Sequence, residues 1–141
     1  MNMSINEIEN EIIEEFEMFD NWIDKYEYLI DLGKSLPKIS ESEKTKENII
    51  TGCQSQVWLN AKEKDRHIIF YADSDAIMTK GIIAILIRVL SFQKPKDIIN
   101  AKLEFIEKIG LKEQLSPTRA NGLVSMIKKM KIYALGFEQK L

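Results

Sequence analysis

Val57-Trp58-Leu59-Asn60-Ala61 and His67-Ile68-Ile69-Phe70-Tyr71 are the two runs on which the fold turns. Val57, Leu59 and Ala61 alternate with Trp58 and Asn60, and Ile68 and Phe70 alternate with Ile69 and Tyr71. Side chains two apart share one face of a strand, so each run reads as half of a small sheet. Glu63-Lys64-Asp65-Arg66 is a charged turn between them. The pair predicts an antiparallel hairpin whose register is left open, because no Asn-Gly turn signal is present.

Outward from the hairpin the spacing is helical. On the N-terminal side, Ser4-Ile5-Asn6-Glu7 has capping-box spacing, and Ile5, Ile8, Ile12, Phe16 and Phe19 follow as one apolar stripe. Asp20 or Asn21 can cap a second helix with Trp22, Tyr26, Leu29 and Ile30 inward and Gly33 as its stop. Leu36-Pro37 breaks that pattern, and Ser40 to Asn48 is charged without a period, which reads as an exposed connector. After the hairpin, Ser74 or Asp75 can cap a helix running to Leu90 that is apolar nearly all round, hence the most buried. Pro95 opens a short helix, Leu103 to Ile109 suggests another ended by Gly110, and Ser116-Pro117 starts the last. Leu123, Val124, Ile127, Met130 and Ala134 are its expected inner stripe. The fold class is therefore α+β, a small antiparallel β-sheet packed against helices, in one domain over 1–141.

Composition narrows the function. With 45% hydrophobic and 30% charged residues the chain is globular. A net charge of −2 and a pI near 5.6 leave no basic footprint for nucleic acid and no polybasic membrane anchor. Met1 to Asn10 is polar and acidic, unlike a signal peptide. The apolar run Gly81 to Ile87 is far shorter than the ~20 residues that span a bilayer. A single cysteine and no visible leader fit the cytoplasm.

That cysteine lies in Gly52-Cys53-Gln54-Ser55-Gln56-Val57-Trp58. Glycine followed by three polar residues suits a turn that presents the thiol, with backbone N–H groups able to stabilise a thiolate. Cys53 and His67 are the only residues of their types, too few for a zinc site or for a cluster held by this chain's own thiolates. No second cysteine allows internal disulfide cycling, and no Gly-rich phosphate loop is present. One-thiol chemistry remains: sulfur carried as a persulfide, a redox-sensing thiol, or an inert core cysteine. Two other classes stay open, a thiol hydrolase using Cys53 with His67 as base and a non-catalytic binding module.

The last helix breaks local rules. Arg119 opposes the helix dipole in the first turn, at ~0.3–1 kcal/mol. Asn121 and Gly122 are weak helix formers, and Gly122 costs ~1 kcal/mol relative to alanine. Either a close neighbour packs at Gly122, or Arg119 and Asn121 support a site.

Several separated motifs together resemble the SufE family of sulfur-acceptor proteins. They are Trp22-Ile23-Asp24-Lys25-Tyr26-Glu27-Tyr28-Leu29-Ile30-Asp31-Leu32-Gly33 with Leu36-Pro37, the Gly52 to Trp58 loop, Asp73-Ser74-Asp75-Ala76 with Lys80-Gly81, and Leu115-Ser116-Pro117-Thr118-Arg119-Ala120-Asn121-Gly122-Leu123. The resemblance implies a SufE/IscU-like fold and a job. The thiol carried onto Cys53 would take persulfide sulfur from a SufS-like cysteine desulfurase, stimulate it, and pass the sulfur to an iron–sulfur scaffold complex. It implies no cofactor on this chain, with pyridoxal phosphate on the partner, and no metal site. It also implies a resting thiol tucked into an apolar pocket and a loop that moves outward. Gly52 is the expected hinge. Gln54 and Gln56 belong to the loop, and Asp75 and Arg119 are the expected supporting shell, Arg119 favouring a thiolate by its charge. The desulfurase served, the docking surface and the oligomeric state are not legible from sequence.

Overall fold

The structure is a computed structural model that describes residues 3–140; Met1, Asn2 and Leu141, part of the polar N-terminal stretch and of the 1–141 domain, lie outside it. Helices α1 (Ile5–Glu17) and α2 (Trp22–Lys34) lead to strands β1 (Val57–Lys64) and β2 (His67–Ser74). Then come α3 (Ile77–Leu90), the short α4 (Pro95–Asn100), α5 (Phe105–Lys108) and α6 (Leu111–Gln114), and the long α7 (Pro117–Lys140). The architecture is α+β, as the hairpin between helical segments predicts.

The hairpin is longer than its sequence pattern. The strands pair antiparallel from Val57 opposite Ser74 to Lys64 opposite His67, leaving a two-residue turn at Asp65-Arg66 instead of four. Both turn residues have positive φ, 53° and 66°, the conformation that matches the twist of a tight hairpin. β2 runs three residues beyond Tyr71 because its edge has partners: Ala72 N donates to the Pro37 carbonyl and Ile39 N donates to the Ala72 carbonyl. Val57, Leu59, Ile68, Phe70 and Ala72 are buried on one face, against helices that include α3.

α3 is the central helix, with every residue from Gly81 to Ile87 buried. Its N-cap is Ala76, without a side-chain cap bond, so the Ser74 or Asp75 cap is corrected. Ser74 ends β2, and the Asp75 carboxylate is committed elsewhere. α1 is capped by the Ser4–Glu7 box, and Asn21 caps α2. Gly33 does not stop α2, which continues to Lys34; its missing side chain admits α3, since a Cβ there would sit 2.9 Å from the Gly81 nitrogen. Gly81 answers it, because a Cβ there would strike the Leu29 carbonyl oxygen. Arg88 on α3 pairs with Glu11 at 2.6 Å and with Glu15 at 2.5 Å, tying α1 to the same helix.

The connector 40–48 is not a free loop. It forms two single 3₁₀ turns and is pinned from several sides. Lys44 bridges Asp73 at 2.9 Å and lies over the Trp58 ring, Asn60 donates to Glu43, and Tyr133 donates to Asn48. α7 starts as expected, with Ser116 Oγ accepting from Arg119 N at 3.3 Å. Its inner stripe needs one correction: Val124 is 51% exposed and Met126 is buried in its place. At roughly 100° per residue, Val124 lies about 200° around the helix from Gly122, on the side away from the thiol loop. The region after α4 is also more broken than the pattern suggested, with Leu103 in the left-handed region and Gly110 at φ 73° separating α5 from α6.

Candidate functional site

The loop carrying Cys53 is closed at its base. Ile50 N donates to the Val57 carbonyl at 2.8 Å, so residues 51–56 leave and re-enter the body of the protein at one point. Its exit is held by the end of β2. Gln56 N donates to Asp75 Oδ1 at 3.2 Å, Ser74 Oγ donates to the Gln56 carbonyl at 2.8 Å, and Asp75 N donates to the same carbonyl at 3.4 Å. Asp75 therefore holds the loop and not the helix it was expected to cap. Behind it, burial works to raise the Asp73 carboxyl, but Lys44, Lys80 and the Ser74 N–H outweigh it and leave that carboxyl below its ordinary value. An ionised Asp73 keeps the end of β2 locked to the connector and α3.

The tip rests on α7. Gly52 has φ +91°, which a side chain disfavours, and a Cβ there would come within 2.5 Å of Ser125 Oγ. Cys53 Sγ donates a weak hydrogen bond to the Gly122 carbonyl at 3.7 Å. Gly122 makes room for it: a Cβ at that position would stand 3.3 Å from Sγ. The two readings of Gly122 thus merge, because the close neighbour is the thiol itself. Beside Sγ is a cavity of about 50 Å³ lined by Thr79, Ile82, Arg119, Gly122 and Met126.

The thiol is half-buried, and that burial pushes its pKa up. At neutral pH the docked group is a thiol and not a thiolate. Arg119 lines the niche from the first turn of α7, yet burial alone accounts for the shift. Gln54 also lines the niche, whereas Gln56 contributes through its backbone. Asn121 is exposed and does not line it.

Thr79, Ile82 and Met126 are the site residues that sequence reading missed. Thr79 carried a signal, being an uncharged polar residue, now buried, in a largely apolar helix. Ile82 and Met126 carried none, since apolar residues at helical spacing read as core. His67 is not part of the site. It faces Lys64 at the turn end of the hairpin, seven pairs from Val57, or roughly 23 Å at strand rise. Its Nδ1 is bonded to the Asp65 carbonyl at 2.7 Å. A Cys53–His67 nucleophile and base pair is therefore not formed. Among the described residues no three His, Cys, Asp or Glu side chains gather as a metal site, and no helix is long and apolar enough to cross a membrane.

Comparison with known proteins bears on the family and the fold. The family model SufE, described as an Fe-S metabolism associated domain, matches residues 10–134. An uncharacterized SufE-like protein of Rhizobium meliloti (strain 1021) is 41% identical over 132 residues, covering 90% of this chain and 94% of that one. SufE-like protein 1, chloroplastic/mitochondrial, of Arabidopsis thaliana is 39% identical over 131 residues, which is 92% of this chain and 35% of that longer protein. Among solved structures, the solution structure of a hypothetical protein from Thermus thermophilus superposes with a TM-score of 0.78 at 16% identity, covering 94% and 96% of the two chains. At that identity the likeness speaks for the fold alone.

Proposed function

The chain belongs to the SufE family, associated with Fe-S metabolism, and we propose that Cys53 is its sulfur acceptor, drawing on the persulfide of a cysteine desulfurase. The observation that carries this reading is the fit of the Cys53 thiol into a niche opened by Gly122, on a loop pinned at its base and weakly held at its tip. The Cys53 thiolate attacks the outer sulfur of the donor's persulfide. A new sulfur–sulfur bond forms on Cys53, the donor's bond breaks, and the donor cysteine leaves as a thiolate. No electron is gained or lost overall, and no proton shuttle is required, so the absence of a histidine beside Cys53 is no obstacle.

The raised pKa assigns a resting state to the docked thiol. In the niche Cys53 is protonated and a poor nucleophile. Displacing the loop breaks one weak contact to Gly122 and returns the sulfur to water, where its thiolate fraction rises. The supports at Ser74 and Asp75 lie at the exit of the loop and resist that displacement. After transfer, the cavity of about 50 Å³ gives the added sulfur a place beside Thr79, Ile82 and Met126, away from stray thiols. Release to an iron–sulfur scaffold would follow by the same exchange run outward. The pyridoxal phosphate that makes the persulfide belongs to the desulfurase in this scheme, and the cytoplasm is the compartment that fits a lone reduced thiol.

Stimulation of a cysteine desulfurase tests the proposal. With free cysteine as substrate, turnover should rise when the wild-type chain is added. Cys53→Ser should lose that stimulation, while His67→Ala should keep it. Equal stimulation by Cys53→Ser would end the reading.

A further inference from the structure

α7 carries five basic side chains (Arg119, Lys128, Lys129, Lys131 and Lys140) and one acidic, Glu138, in a chain of net charge −2. Its face away from Cys53 is apolar and open: Val124, Ile132 and Leu135 are 51%, 53% and 50% exposed. With half-buried Ile99 and Ile127 they line a groove of about 440 Å³ whose only charged lining residues are Lys128 and Lys131. α4, which supplies Ile99, packs against α7, so the trough has a helix on each side. Its volume is in the range of about 300–1,000 Å³ typical of ligand pockets.

We propose that this groove docks a helix of another protein, one with an apolar ridge and acidic flanks. An apolar face of a long helix, flanked by a second element, takes another helix through residues spaced three and four apart. The charge decides between occupants. A second copy of this chain in a two-fold arrangement would bring Lys128 and Lys131 against their own copies, an unfavourable like-charge contact. An anionic membrane calls for a cluster of about four to eight free cations. Here Lys129 Nζ donates to the Glu47 carbonyl and Lys131 Nζ donates to the Ala101 carbonyl. Lys128 has no ion-pair partner among the described residues, and Lys131 uses one of its three donors. Two cations beside an apolar trough match acidic residues flanking a ridge.

The location adds a consequence. Val124, Ile127, Lys128, Lys131 and Leu135 lie about 120–180° around α7 from Gly122, at roughly 100° per residue, and Ile132 lies about 80° from it. Most of the groove therefore points away from the thiol, and the docking does not depend on sulfur chemistry at Cys53.

The test uses the full chain, isotopically labelled, and a synthetic helical peptide of about 18 residues with leucine at helical spacing and glutamate flanks, beside the same peptide with lysine flanks. The acidic peptide should shift the NMR signals of Ile99, Val124, Ile132 and Leu135, more strongly at low salt, and the lysine peptide should not. Val124→Glu should weaken binding about tenfold, and Lys128→Glu should weaken it several-fold while admitting the lysine peptide. Both positions are exposed, and an unchanged Cys53 alkylation rate confirms an intact fold. Equal binding of both peptides, shifts on another face, no effect of either variant, or tighter binding to phosphatidylserine vesicles or to a second copy would overturn the proposal.

Discussion

Glycine contacts hold two parts of this molecule together in opposite ways. Where α2 crosses α3, Gly33 and Gly81 set backbone against backbone, and an added Cβ would meet the Leu29 carbonyl or the Gly81 nitrogen. Nothing there can rotate aside. Where the loop meets α7, the tightest neighbour of an added Cβ at Gly122 is the Cys53 sulfur, at 3.3 Å, while the Cys53 Cα and Cβ lie at an ordinary contact distance of 3.9 Å. The first contact is a fixed joint, close-packed like any interior. The second is a seat that its occupant can leave. A protein that must keep its fold while releasing one thiol needs both.

The largest effect tests the joint. Gly81→Ala should destabilise the protein by about 3 kcal/mol, read as a fall of roughly 10 °C in Tm, because the clash is with backbone. A Tm within a degree or two of wild type would remove the distinction between the regions. Next comes the anchor of the loop. Asp75→Ala removes the acceptor of Gln56 N, worth about 1 kcal/mol, and should speed iodoacetamide labelling of Cys53 roughly fivefold. Asp75→Asn keeps an acceptor and should stay near wild type. If both variants label alike, the carboxylate acts by something other than that bond.

The seat itself should respond more gently. In Gly122→Ala the gain in helix propensity, about 1 kcal/mol, offsets the crowding, so Tm should barely move. Labelling of Cys53 should rise two- to threefold, the equivalent of ~0.5 kcal/mol of weaker seating. A Tm loss as large as that of Gly81→Ala would make the niche a second fixed joint. The smallest effect is in the pH profile. Burial raises the Cys53 pKa, so the docked state holds its proton to higher pH than an exposed cysteine. Docking is therefore complete below the ordinary thiol value and weakens as pH rises through it towards the raised one. The labelling rate should climb with pH along a curve displaced to the alkaline side of that for a free peptide spanning residues 51–57. Coincident curves would mean that the thiol is not seated in solution.

Much of this was legible because local chemistry and global structure agree. The alternation from Val57 and from His67 marked both strands, the apolar run Gly81 to Ile87 marked the central helix, and Ser116-Pro117 marked the start of α7. The loop was visible for a different reason: a lone cysteine beside glycine and polar residues makes a poor core segment. Gly33 misled because a glycine near the end of a helical pattern looks like a terminator, while its use here is contact with a helix more than forty residues away. Asp75 misled in the same way, since its partner at Gln56 comes from across the hairpin. The connector 40–48 looked free because Lys44 meets Asp73 and Glu43 meets Asn60 only once the chain is folded, when the Glu47 carbonyl also accepts from Lys129 of α7. Arg119 stood out as a cation in the first turn of a helix, and it lines the niche.

Mass spectrometry of the chain after incubation with a cysteine desulfurase, its pyridoxal cofactor and free cysteine is the most direct measurement. One added sulfur, ~32 Da, should appear on the peptide containing Cys53, be removed by a reductant, and be absent from Cys53→Ser. A chain that stimulates the desulfurase while Cys53 never gains that mass would contradict the account.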